Sequence, residues 1–200
     1  MRRTCERVIR PLLRDSIDLA HSYERVTPGH KYLRSVTDAP RVFAGATRTA
    51  AQRCRQFWAQ IVTGGEKDLT ELSSMTASET AKLVENSYRA ANIAFVQEWA
   101  RYCEDIGIDF EELAEAVRAR PSHKNLLQPR VGVGGYCLTK DPLLAAAANA
   151  PIPRTSQQFP LSSLTLEINR ETPAKVAEWF DREVGGLSGK REGVFRRFLF

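Results

Sequence analysis

The sequence predicts an α+β chain that is mainly α. Two observations carry this: short strand-like runs alternate with helical ones up to about residue 75, and only helical periodicity follows. A third is the stretch "TASETAKLVENSYRAANIAFVQEWARYCEDIG" from Thr76 to Gly107, which reads as one helix of about eight turns.

Taken in order, "ERVIRPLLR" puts Val8, Ile9, Leu12 and Leu13 on one stripe and predicts an opening helix over 6–14. "DLAHSYE" (18–24) and "PRVFAGA" (40–46) read as two strands around a turn at Pro28-Gly29. A helix is expected over "RTAAQRCRQFWAQIV" (48–62), then a Gly-Gly turn and a short strand within "TGGEKDLTELSS" (63–74). This opening has the character of the end of an α/β domain. The long helix is expected to start on Thr76 or Ser78 as its cap and to stop at Gly107. Asp109 caps "DFEELAEAVRAR", which ends before Pro121. "KDPLLAAAANA" (140–150) is a further helix, and "LSSLTLEINRETPAKVAEWFDREV" (161–184) is one long helix or one broken at Pro173.

With 29 basic and 24 acidic residues in 200, the chain carries a formal +5, spread along its length without a dense block. That argues against a nucleic-acid stripe. No apolar run reaches a membrane span and the N-terminus lacks a signal-peptide core, so a soluble cytoplasmic protein is expected. Cys5, Cys54, Cys103 and Cys137 form no CxxC pair and have no His at metal-ligand spacing, so no metal site is expected. Cys54 and Cys103 lie in helical apolar patterns and read as small buried hydrophobes.

The candidate chemistry lies in "GVGGYCLTKDP" (132–142). Glycines let the backbone adopt positive φ and approach a ligand, and a thiol just ahead of a helix N-terminus has its thiolate favoured by the dipole. Lys140 would add a positive charge and Asp141 a carboxylate one turn away. On this pattern alone Cys137 is either a reactive thiol or a small filler in a turning loop. Lys82, Asn86 and Arg89 share a face of the long helix, suited either to holding an oxygen that gains charge or to ordinary solvation. "GGLSGKR" (185–191) fails as a phosphate loop because Val184 stands where its first glycine would be and Arg191 follows the lysine; no G-x-G-x-x-G occurs.

"SYERVTPG" (22–29), "SETAKLVENSYRAANIAFVQEWA" (78–100) and "GVGGYCLTKDP" together resemble the UDP-glucose/GDP-mannose dehydrogenase family, in particular its bacterial branch acting on UDP-N-acetylhexosamines. The resemblance implies a nucleotide-sugar 6-dehydrogenase of polysaccharide biosynthesis that uses NAD twice to oxidise a C6 alcohol to a carboxylate through a cysteine thiohemiacetal and thioester. By the same resemblance Cys137 is the nucleophile, and Lys82 and Asn86 stabilise the oxyanion and hold a water. Asp141 assists proton transfer, Glu24 of the "PER"-like motif acts in thioester hydrolysis, and Val131, Gly132, Val133, Gly134 and Lys140 bind the sugar nucleotide. Two departures stand out: Tyr23 occupies a usual proline, and Arg130 a frequent glycine.

The resemblance further implies three parts. Residues 1–75 would be the last elements of a Rossmann-type NAD domain, with most of the NAD site missing. Residues 76–180 would be a long-helix dimerisation domain with the cysteine loop, and 181–200 the truncated start of a nucleotide-sugar domain. A UDP-sugar and a second copy of the chain are the expected partners, the latter through Phe95, Trp99 and Tyr102 on the long helix; the other reading of those rings is packing within the same chain. Neither nucleic acid nor membrane is expected. The competing function is a catalytically silent dimerisation module. A cysteine hydrolase would need a histidine base, and His21, His30 and His123 lie in no such context.

Overall fold

The computed structural model describes residues 4–27, 29–149 and 158–186, so the expectations for 187–200 and the last residue of the helix expected over 140–150 fall outside the described residues. Contacts divide the chain into two compact units, and the division falls after Val84, inside the longest helix.

The first unit is built on three short strands, β1 (Ala20–Ser22), β2 (Arg41–Gly45) and β3 (Leu69–Glu71), with helices α1 (Tyr32–Thr37) and α2 (Arg48–Ala59) between them. β1 pairs antiparallel with β2, placing Ala20 opposite Gly45, and β2 pairs parallel with β3, placing Arg41 opposite Leu69. A parallel pair needs a crossover, and α2 supplies it. Phe43 and Ala44 of the central strand have no solvent exposure. A Cβ on Gly45 would lie 2.3 Å from the Ala51 nitrogen, so only glycine lets α2 fold back against the strand end. Thr47 caps α2 by accepting from the Ala50 N–H at 3.1 Å. Cys5, Ala44 and Met75 form the core of this unit with Leu19 and Leu72.

Arg41 is 1% exposed. Its guanidinium lies 4.5 Å above the Trp58 ring, donates to the Val36 carbonyl at 2.8 Å and reaches the Tyr23 carbonyl at 3.4 Å, tying the stretch after β1 to the sheet.

Two expectations for this unit need correction. The opening is not an amphipathic α-helix: Thr4–Ile9 form a π-turn and Arg10–Leu12 a 3₁₀ turn, with Val8, Ile9 and Leu12 exposed and Cys5 buried. Pro11 supplies no N–H for an α ladder, which breaks the periodicity that suggested the stripe. The long helix is capped by neither Thr76 nor Ser78. Ser74 accepts from the Ala77 N–H at 3.1 Å, whereas Ser78 is fully buried against His21.

α3 (Met75–Asp105) carries on into the second unit, which also holds α4 (Phe110–Arg118), α6 (Pro160–Glu183) and α5 (Asp141–Asn149) as far as Ala146. α3 ends at Gly107 with φ +73°, where the Ile108 N–H donates to the Cys103 carbonyl at 2.8 Å and the Gly107 N–H to Glu104 at 3.2 Å. This is the Schellman pattern. Asp109 then caps α4, as the sequence predicts, by accepting from the Glu111 N–H at 2.9 Å. Val96, Ala100, Cys103, Phe110 and Ala114 make this unit's core, with Leu126 and Leu127 packed against it. α6 is a single helix with Pro173 inside it, and the missing proline N–H leaves the Asn169 carbonyl without its usual helical donor.

Phe95, Trp99 and Tyr102 form a contiguous row, with ring centroids 6.2 and 5.9 Å apart in succession. They are 52%, 43% and 55% exposed, so packing among the described residues leaves about half of each ring open. Among the described residues, no helix is long and apolar enough to cross a membrane.

Candidate functional site

The loop ahead of Cys137 is held at three places. The Gln97 amide donates to the Arg130 carbonyl, while the Arg130 side chain is exposed. Val133 is gripped from both sides by the Asn169 amide, its N–H donating to Oδ1 at 2.7 Å and its carbonyl accepting from Nδ2 at 2.8 Å. Gly132, at φ +98°, lies against α6 where a Cβ would stand 3.4 Å from the Asn169 carbonyl oxygen. The arginine at the habitual glycine therefore contributes a carbonyl to the anchoring and leaves the sulfur uncovered: Cys137 is exposed, and it alone of the four cysteines is. Val131 and Gly134 are exposed on the same loop, while Gly132 and Val133 are half-buried.

The Cys137 carbonyl accepts from the Lys140 N–H at 3.2 Å and the Asp141 N–H at 2.9 Å, so the chain makes one turn after the thiol and enters α5 at Asp141. Asp141 is 5% exposed and accepts from the Asn86 amide at 2.6 Å on Oδ2, while the Lys140 ammonium pairs with Oδ1. Lys140 also lies 4.5 Å from the Tyr136 ring centroid. Its pKa is pushed up, first by the hydrogen bond to Asp141 and then by neighbouring charge. Asn86, Lys140 and Asp141, three of the sequence candidates, are thus in direct contact. The ammonium that the sequence would aim at the sulfur is engaged by the carboxylate and the ring.

In the first unit Lys82, one helical turn before Asn86 on α3, donates to the Glu24 carbonyl at 2.8 Å and lies 3.4 Å from the Glu24 carboxylate. Tyr23, the residue at the usual proline, is buried with Arg25 5.3 Å and Lys82 5.7 Å from its ring centroid. It anchors by cation–π contact what a proline would fix by backbone rigidity. Arg89 is exposed.

Gln97, Asn169 and Tyr136 escaped the sequence reading. For Asn169 a signal existed: an asparagine four residues before Pro173 has a carbonyl that the helix cannot satisfy. Gln97 had none, being one polar residue in a long apolar-rich run. The second unit offers an exposed sulfur nucleophile and, close to it in sequence, a buried carboxylate with an amide and an ammonium on its two oxygens; the first unit offers an ammonium paired with an exposed carboxylate.

Residues 76–171 match the model of the UDP-glucose/GDP-mannose dehydrogenase family, central domain. A UDP-N-acetyl-D-mannosamine dehydrogenase of Methanocaldococcus jannaschii is 34% identical over 78% of this chain and 36% of its own length. Its Escherichia coli counterpart is 36% identical over 81% of this chain and again 36% of its own length. Among solved structures, a Methanosarcina mazei NDP-N-acetyl-D-galactosaminuronic acid dehydrogenase aligns with a TM-score of 0.76 and 25% identity, covering 92% of this chain and 42% of that one. A Pyrococcus horikoshii UDP-D-ManNAc dehydrogenase gives 0.72 and 27%, covering 87% and 40%. The chain spans little more than a third of the curated relatives it matches. On this family model and these relatives, the chain belongs to the UDP-glucose/GDP-mannose dehydrogenase family.

Proposed function

We propose that this chain carries the covalent half of an NAD-dependent nucleotide-sugar 6-dehydrogenase acting on a UDP-N-acetylhexosamine, the substrate class in the relatives' names. The observation that carries the reading is the exposed Cys137 on an anchored glycine loop, one turn ahead of an Asp141 buried against Asn86.

NAD is the electron acceptor that this reaction class uses. Among the described residues the β2–α2 turn does not fit its pyrophosphate: α2's own backbone fills the space beside Gly45, and Thr47 already occupies a donor of the first turn. The steps assigned here are therefore those of the chain's own groups. Cys137 Sγ adds to the C6 aldehyde carbon, and the thiol proton passes to solvent or to Asp141. The developing oxyanion is met by a donor from Asn86, and the family resemblance assigns Lys82 the same role. Val131, Gly132, Val133, Gly134 and Lys140 hold the sugar nucleotide, with the Asn169 clasp fixing the loop's shape. Once a thioester exists, Glu24 assists the water that cleaves it, releasing the carboxylate and restoring the thiol. An activated sugar substrate would place this chemistry in the cytoplasm.

Native mass spectrometry with the 6-aldehyde of a UDP-N-acetylhexosamine tests the reading. A reversible adduct is expected on the chain and not on Cys137→Ala; equal adduct on both would end it. A second reading, a silent dimerisation module, is favoured by the exposed row Phe95, Trp99 and Tyr102, which pairing about a two-fold axis would cover. Sedimentation giving a dimer with no aldehyde adduct would favour that reading.

A further inference from the structure

The first unit brings together three side chains that the sequence keeps far apart. Sγ of Cys5, a ring nitrogen of His21 and a carboxylate oxygen of Glu79 lie within 4.8 Å of one another. They come from the opening turn, β1 and the first turns of α3. No short ligand spacing links them, which is why the cysteine pattern gave no sign of a metal.

We propose that Cys5, His21 and Glu79 form a site for a zinc-class divalent metal ion. The donor set, one soft sulfur, one imidazole and one carboxylate, is the set that such ions take, with a fourth position left for water. Cys5 and Glu79 are buried, and Glu79 uses one oxygen: Oε1 accepts the Cys5 N–H at 2.9 Å, while among the described residues no donor reaches the buried Oε2. A carboxylate oxygen left bare at this depth is costly, and a cation removes the cost. His21 Nδ1 lies 2.9 Å from the Ser78 hydroxyl, which itself reaches back to the His21 carbonyl at 3.5 Å. With Nδ1–H donating to Ser78, Nε2 keeps its lone pair, the outer-shell arrangement that orients a ligating imidazole.

Charge closes as well as geometry. A dication, one thiolate and one carboxylate sum to zero, so the loaded site places no net charge in the interior. Donors around a tetrahedral zinc stand about 3.5 Å apart, so no donor pair within the 4.8 Å cluster has to close by more than about 1.3 Å. Burial holds His21 below its ordinary pKa and hence neutral, and it holds the Cys5 thiol protonated at about 12. Loading zinc near pH 8 thus converts thiol to thiolate and releases one proton per ion.

The test is titration of the full chain with Co²⁺ and Zn²⁺. One cobalt is expected to bind with a thiolate-to-metal charge-transfer band, zinc is expected to displace it, and one proton is expected to be released per zinc. Cys5→Ser should abolish the band, and Cys54→Ser, the other thiol of this unit, should leave it unchanged. Glu79→Gln keeps the shape and should weaken zinc binding by about tenfold or more. Circular dichroism on each variant separates lost binding from lost fold. Absence of the band in the native chain, a band that survives Cys5→Ser in a folded protein, or zinc binding without proton release would each overturn the site and leave a hydrogen-bonded cluster.

Discussion

Cys5 and Cys137 both stand at the start of helical turns, yet one is sealed in a core and the other is open to solvent. Burial first, and the Glu79 carboxylate second, push the Cys5 thiol up to about 12. Cys137 follows the positive-φ glycines Gly132 and Gly135 on a loop held by Asn169 and Gln97, and it is exposed. Position relative to a helix N-terminus therefore does not make a thiol reactive. Water and the sign of the nearest charge decide.

The largest effect expected from this contrast is in alkylation. With a limiting reagent near pH 8, Cys137 should be modified first, then the half-buried Cys54, with Cys103 and Cys5 last. A shift from an ordinary 9.0 to about 12 lowers the thiolate fraction of Cys5 by about a thousandfold before access is counted. Peptide mass spectrometry reads the order, and Cys5 reacting alongside Cys137 would erase the distinction.

Next in size is the buried carboxylate beside the open thiol. Asn86→Ala removes the 2.6 Å donor from Asp141 and leaves a nine-tenths-buried oxygen with no replacement. A loss of about 2–3 kcal/mol is expected in denaturant unfolding. A change below about 0.5 kcal/mol would mean that Asp141 turns to solvent at no cost, against its tight placement.

How much of this was legible follows from where each constraint lies. Helices α2, α3, α4 and α5 were readable because periodicity, glycine stops and the Asp109 cap are local signals. The opening turn was misread because apolar spacing suggested a stripe while Pro11 and a long-range contact to Glu79 set the conformation. α1, between the two strands, rests on an exposed single-turn segment with little periodicity to find. Among the site residues, Cys137 with Asp141 and Lys140, and Lys82 with Asn86, were visible as motifs. Their partners were not, because the bonds from Asn86 to Asp141, from Lys82 to Glu24 and from Asn169 to Val133 each span more than thirty residues.

The loop itself can be strained without touching the thiol. Gly132→Ala must hold a side chain at φ +98° and press its Cβ against the Asn169 carbonyl, so a loss of about 1–2 kcal/mol is expected. The change should also loosen the Val133 clasp, which amide exchange at Val133 would report as faster opening. Wild-type exchange and stability in this variant would show that the loop's shape does not depend on the glycine.

The smallest effect separates the two units by pH. In the second unit Glu111 is held below its ordinary pKa, chiefly by its hydrogen bond from Arg118 at 2.8 Å and then by Gln128. A depressed carboxylate stabilises above its unfolded value, near 4.5, and that contribution is lost as pH falls through the folded value. In the first unit His21 is depressed by burial, which for a base works at a different pH: the unfolded chain binds the proton more readily, so stability falls as pH drops below about 6.5. Two separate acid steps are expected in thermal unfolding followed from pH 8 to pH 3. Glu111→Gln should flatten only the lower step, and by a small amount because the carboxylate is solvent-screened. His21→Asn should flatten only the upper one. A Glu111→Gln profile that superposes on wild type throughout would place the Arg118–Glu111 bond outside the acid response.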